Sequence, residues 1–146
     1  MNSSSQKAIF TQNAPAPVGP YSQAIAAGEW VYCSGQIPLD PSSGLLVGKG
    51  NIEAETHQVI CNLKAVLDEA GASPSQVIRT TIYLIDLNDF EKVNAIYSET
   101  FMSDPSPARA CVQVSALPKG ARIEIDCIAW LGWAKQQSQS KKSQHF

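Results

Sequence analysis

Two helical stripes enclosing one strand constrain this chain more than any other feature. Ile52, Thr56, Val59, Ile60, Leu63, Val66 and Leu67 fall on one face of a helix of about four to five turns. Gly71 supplies its stop signal. Val77 to Ile85 follows as a strand rich in β-branched residues. A second stripe then carries Phe90, Val93, Tyr97 and Phe101, with Asn88 as N-cap and Glu91 three residues on as a capping-box partner. Helices that cross between strands favour a mixed sheet with the helices packed on one face.

The flanking segments complete that sheet. Lys7 to Thr11 is a short strand candidate, and Gln12 to Pro20 holds three prolines and a glycine, so it reads as loop or extended chain. Tyr21 to Ala26 and Trp30 to Ser34 form a hairpin around Ala27-Gly28-Glu29, and Ile37 to Gly50 is a long loop. Ala110 to Val114 and Arg122 to Trp130 read as neighbouring strands joined through Leu117-Pro118-Lys119-Gly120. The order is β-ββ-α-β-α-ββ, an α+β fold in one domain over residues 1–133, with a polar, low-complexity tail over 134–146. In Ile82-Tyr83-Leu84-Ile85 both faces are apolar, which predicts burial on both sides. The chain has no third layer, so another copy is the expected cover.

Composition narrows the function. Eleven basic and 13 acidic residues leave a net charge of −2, with no basic run beyond Lys141-Lys142. A nucleic-acid binder concentrates positive charge on one face, and this chain does not. The four cysteines (Cys33, Cys61, Cys111 and Cys127) contain no CxxC pair, and only two histidines are available to help, so a zinc site is not expected. We expect reduced, buried thiols in a cytoplasmic protein. No apolar run has the length of a signal peptide or a membrane span.

Chemistry has few places to sit. Strand alternation puts Ile123, Ile125, Cys127 and Ala129 on one face, and Glu124 and Asp126 on the other. Arg109 opens the strand before them, so an arginine and a carboxylate are expected to meet at one end of the sheet. One reading is a salt bridge at an edge or interface. The other is an anchor for a small acid, because a guanidinium grips a carboxylate bidentately. The residues alone leave both open. His57 reads as a solvated helix residue, and Ser34 with His57 makes no triad. Gly48-Lys49-Gly50 lacks phosphate-loop spacing. Cys111 has no histidine placed to activate it, and His145 sits in the tail.

The stretch Pro107-Ala108-Arg109-Ala110-Cys111-Val112, then Ser115-Ala116-Leu117 and Ile123-Glu124-Ile125, resembles the signature of the RidA (YjgF) family. Gly19-Pro20-Tyr21-Ser22-Gln23-Ala24, Ser34-Gly35-Gln36-Ile37-Pro38, Asn62-Leu63-Lys64-Ala65-Val66-Leu67 and Asp86-Leu87-Asn88-Asp89-Phe90 with Val93-Asn94 resemble further family segments in family order. The resemblance spans about residues 7 to 130. It implies a chorismate-mutase-like fold, a homotrimer with three intersubunit clefts, and hydrolysis of reactive enamines and imines such as 2-aminoacrylate to 2-keto acids and ammonia. It implies no metal or organic cofactor. Carried over by position, Arg109 anchors the substrate carboxylate, and Glu124 with the backbone of Cys111 positions water. Tyr21 and Ser34 line the cleft, Gly35 shapes a turn there, and Asn94 falls at a cleft or support position. Ser106, Ala110 and the extension from Leu131 to Phe146 depart from the family pattern. Two other functions attach to the same resemblance: a trimer that only binds a keto acid, and RNA cleavage or translation inhibition.

Overall fold

Asn51 starts the first helix. Its side chain accepts from the Ala54 N–H at 3.0 Å, satisfying one orphan donor of the first turn, and α1 runs Ile52–Glu69. All seven residues of its expected stripe are buried. Glu55 and Asn62 are buried with them, which the stripe does not predict. Both tie other segments to the helix. Glu55 accepts from the Arg122 N–H at 2.9 Å, and the Asn62 amide donates to the carbonyls of Ile37 and Leu39 at 3.2 and 3.0 Å. We expect Asn51→Ala to lower stability by about 1 kcal/mol, read as a lower urea midpoint with an unchanged slope.

The computed structural model describes residues 5–132; the expected tail, with His145, lies outside them. Among the described residues, six strands form one sheet. They are β1 (Gln6–Ile9), β2 (Ala24–Ala27), β3 (Trp30–Gln36), β4 (Val77–Leu84), β5 (Ala108–Gln113) and β6 (Ile123–Trp130). Their spatial order is β1-β2-β3-β6-β4-β5. Neighbours are antiparallel except β4 and β5, which are parallel and are connected through α2 (Phe90–Thr100). A parallel pair needs such a crossover. The core lies between the helices and one face of the sheet, where Val59, Leu63, Val66, Leu67, Val93, Ile82, Leu84, Ile123 and Ile125 are fully buried.

Three expectations change. β5 and β6 are not neighbours, because the segment after β5 carries the chain past β4 and β6 inserts between β3 and β4. Tyr21 lies outside β2. Its N–H is donated to the Gly19 carbonyl at 2.9 Å, a local turn bond that replaces a ladder bond. Asn88 is not the cap of the second helix. A 3₁₀ turn over Leu87–Asp89 precedes α2, and the Asp86 side chain caps it by accepting from the Asn88 N–H at 2.9 Å.

Among the described residues, nothing covers the face opposite the helices. Tyr32 is 50% and Val112 42% exposed there, and Trp30 packs on Trp130 with ring centroids 6.3 Å apart. Tyr83 and Ile85, which the sequence reading expects another copy to cover on that side, are half-buried in the single chain. None of the described helices is long and apolar enough to cross a membrane.

Candidate functional site

The sheet register divides the candidate residues between its two faces. Arg109 pairs with Thr80 and Cys111 with Ile82, both β4 residues buried under the helices. Tyr83 pairs with Val112 on one side and Glu124 on the other, and these lie on the opposite face. β4 also separates their strands. Arg109 and Glu124 of one chain therefore do not meet, contrary to the sequence expectation. A period of two assigns each residue a face, but it cannot say which strands are neighbours.

Arg109 sits on the edge strand β5, and α2 supplies its surroundings. Its Nη1 donates to Asn94 Oδ1 at 2.7 Å. Its Cζ lies 4.9 Å from the centroid of the Tyr97 ring and 5.4 Å from that of Phe90, within cation–π range. No carboxylate among the described residues pairs with it; the ion pair formed there is Arg122 with Asp89, at 2.8 Å. No salt bridge to Arg109 is thus formed among the described residues.

Cys111 lies two residues along the same face and is half-buried. Burial pushes its thiol above the ordinary range, the positive charge of Arg109 opposing. A thiol so placed is a poor nucleophile. Its backbone is of more use. The Val114 N–H is donated inward to the Leu84 carbonyl at 2.8 Å, and alternation along the strand turns the N–H and C=O of Cys111 outward to the free edge.

The second group gathers around β3 and β6. Glu124 is half-buried, and burial holds its carboxyl above the ordinary range, the negative charge of Asp126 adding to the effect. A Cβ built on Gly35 would lie 2.6 Å from Glu124 Oε2. Gly35 is within β3, at the irregularity between Cys33 and Gln36, and its backbone is not left-handed. Its glycine is needed for the close approach of Glu124, not for the turn expected from the sequence. Ser34 donates its hydroxyl to the Ser22 carbonyl at 2.6 Å. Tyr21 is exposed, accepts at its hydroxyl from the Val18 N–H at 3.2 Å, and shares a small cavity with Gly35.

Asp126 accepts from the Tyr83 hydroxyl at 3.0 Å. His57 is exposed, as expected. Cys33 and Cys127 are buried free thiols, whereas Cys61 is exposed, so the expectation of uniformly buried thiols holds only in part. No three His, Cys, Asp or Glu side chains come together as a metal-binding group among the described residues.

Sequence reasoning missed Phe90 and Tyr97, which it treated only as apolar stripe. It also missed Gln23. That buried side chain accepts from the Thr11 N–H and donates to the carbonyls of Thr11, Ala14 and Pro15, fixing the proline-rich loop next to Tyr21. The available signal was a glutamine standing between the proline-rich loop and the apolar run Ala24–Ala27.

Comparison with known proteins decides the family. The family model described as Endoribonuclease L-PSP matches residues 11–131. A RutC family protein of Synechocystis is 52% identical over 125 residues, which cover 86% of this chain and 96% of that protein. The chain belongs to the RidA family. Another relative, the 2-iminobutanoate/2-iminopropanoate deaminase of Mus musculus, is 48% identical over 132 residues, 90% of this chain and 96% of its own length. The structure of Escherichia coli TdcF with bound serine superposes with a TM-score of 0.79 at 38% identity, covering 85% of this chain and 98% of that one. The mixed sheet with two helices is thus the fold of RidA-family structures.

Proposed function

We propose that this RidA-family protein hydrolyses small 2-imino acids, including the imine that forms from 2-aminoacrylate, to 2-keto acids and ammonia. The observation that carries the reading is Arg109. A half-buried guanidinium on an edge strand, held by an amide oxygen and two rings and, among the described residues, by no carboxylate, suits an anionic ligand. The mammalian relative named as an imine deaminase supports the same chemistry.

Arg109 and Glu124 lie on opposite faces, so one substrate is served by two copies, Arg109 and Cys111 from one and Tyr21, Ser34, Gly35 and Glu124 from the other. A homotrimer of chorismate-mutase-like subunits, with the uncovered sheet faces turned inward, provides that pairing. The exposed Tyr32 and Val112 are the side chains it would cover. Arg109 then grips the substrate carboxylate, and the imine carbon faces a water aligned by Glu124 and the outward backbone of Cys111. Glu124 accepts a proton as the water oxygen bonds to the imine carbon. Returning that proton to nitrogen gives a carbinolamine; the proton of its new hydroxyl then passes to nitrogen by the same carboxylate as the C=O bond forms and the C–N bond breaks, releasing ammonia and leaving the keto acid. An imine is already electrophilic, so positioning and one general base suffice. No cofactor enters these steps.

The test is ammonia and pyruvate release from 2-aminoacrylate made in situ by a serine dehydratase, with no protein, wild type and Arg109→Ala compared. Acceleration by wild type alone supports the deaminase. Absence of acceleration would move the reading to a binding trimer, for which the serine bound to the Escherichia coli relative is the favouring observation.

Gly35→Ala offers a finer check. The nearest atoms the added methyl meets are Oε2, Cδ and Cγ of the Glu124 side chain and none of the backbone, so the fold should persist while the Glu124 carboxylate is displaced. A shift near 1 Å at a catalytic group lowers rates on the order of a hundredfold. Retained thermal stability with that loss of kcat is the expected result.

A further inference from the structure

Among the described residues, the groups that hold the Arg109 guanidinium come from one helix face and carry no charge. Phe90, Asn94 and Tyr97 are spaced four and three apart on α2, so they stack along one side of the helix. Asn94 orients Nη1 through an amide oxygen, and the two rings lie within cation–π distance of Cζ. Tyr97 is itself fixed, its hydroxyl 2.7 Å from Thr80 Oγ1 and its ring 4.6 Å from that of Phe101. Thr80 is the register partner of Arg109 on the adjacent strand. The tether therefore closes on itself, with the residue beside Arg109 holding the ring that holds Arg109.

We propose that Phe90, Asn94 and Tyr97 form a neutral cradle that fixes the Arg109 guanidinium without neutralising it, and that this neutrality gives the site its preference for carboxylate ligands. The inference rests on the reading of Arg109 as a carboxylate anchor and adds the residues that set its strength. An aspartate at position 94 could accept the same hydrogen bond with equal geometry. It would also occupy the guanidinium as an ion pair, in direct competition with a ligand carboxylate. The amide keeps the orientation and leaves the charge available. The rings act in the same sense, because their quadrupoles favour the cation while offering no competing anion. These are positioning residues, acting through Arg109.

The experiment measures binding of pyruvate and of its uncharged amide, pyruvamide, to the full-length protein by calorimetry, with thermal unfolding alongside. Wild type should prefer pyruvate. Asn94→Asp should lose at least tenfold in pyruvate affinity and most of the preference over pyruvamide, while unfolding no earlier than wild type, since the new pair is itself a stabilising contact. Phe90→Leu, at a half-buried position that tolerates a change of shape, should weaken pyruvate binding severalfold and leave pyruvamide unaffected. Undiminished pyruvate affinity and preference in Asn94→Asp would overturn the cradle, and so would equal weakening of both ligands in Phe90→Leu. Failure of the wild type itself to bind pyruvate would overturn the carboxylate anchor, and the cradle with it.

Discussion

Arg109→Lys is expected to lower kcat/KM almost as far as Arg109→Ala, on the order of tenfold to a hundredfold. Each charge-assisted hydrogen bond removed costs roughly 1.5–3 kcal/mol, and that range converts to those factors. Lysine keeps the charge but has no planar fork, so it cannot form two parallel bonds to a carboxylate. It also fits the α2 surroundings badly. An ammonium lacks the flat face that packs against Phe90 and Tyr97, and it cannot present Nη1 to Asn94 while directing a second donor at substrate. The loss should fall mainly on KM if the anchor binds ground and transition states alike. Steady-state kinetics on 2-aminoacrylate generated in situ reads both constants. Full activity in the lysine variant would exclude bidentate anchoring.

Glu124→Gln should separate activity from stability. Loss of a general base lowers kcat by about 10²–10⁴-fold, and the amide is nearly isosteric, so substrate binding should change little. Stability should move the other way. The Glu124 carboxyl titrates above its ordinary range, chiefly through burial and then through the charge of Asp126. The folded state therefore holds this proton more tightly than the unfolded chain does. As pH rises from the unfolded pKa through the folded one, the native state binds more protons than the unfolded state and stability falls. Above that window the ionised carboxylate is a destabilising group. Glutamine removes the charge, so the variant should melt higher than wild type at neutral pH, with the difference vanishing in acid. The same raised pKa predicts that wild-type activity falls as pH drops through it, since the base must be ionised to accept a proton. A variant that melts lower at neutral pH, or retains kcat, would contradict the role given to Glu124.

Much of the architecture was legible because periodicity reports burial directly. The α1 stripe is buried at every expected position, and the two helices and the strand between them stand where spacing put them. Local chemistry was legible less well. The second helix is preceded by a turn capped at Asp86, whose side chain takes the Asn88 N–H that a capping box would have presented to Glu91. Gly35 was read as a turn glycine, whereas its partner is Glu124, distant in sequence.

What the sequence determined by itself is the set of elements and the identity of the motif residues. Both follow from interactions within a few residues, and from a motif whose residues stand in fixed order along the chain. Which of those residues share a place depends on the three-dimensional arrangement of the strands. β6 enters between β3 and β4, so Arg109 and Glu124 fall on opposite faces with a strand between them. Tyr97 changes from a stripe residue into the support of a guanidinium through its tether to Thr80. Side-chain alternation fixes a residue's face relative to its own strand alone. The neighbour across the sheet depends on pairing energies between segments far apart in the chain, and no local pattern encodes them.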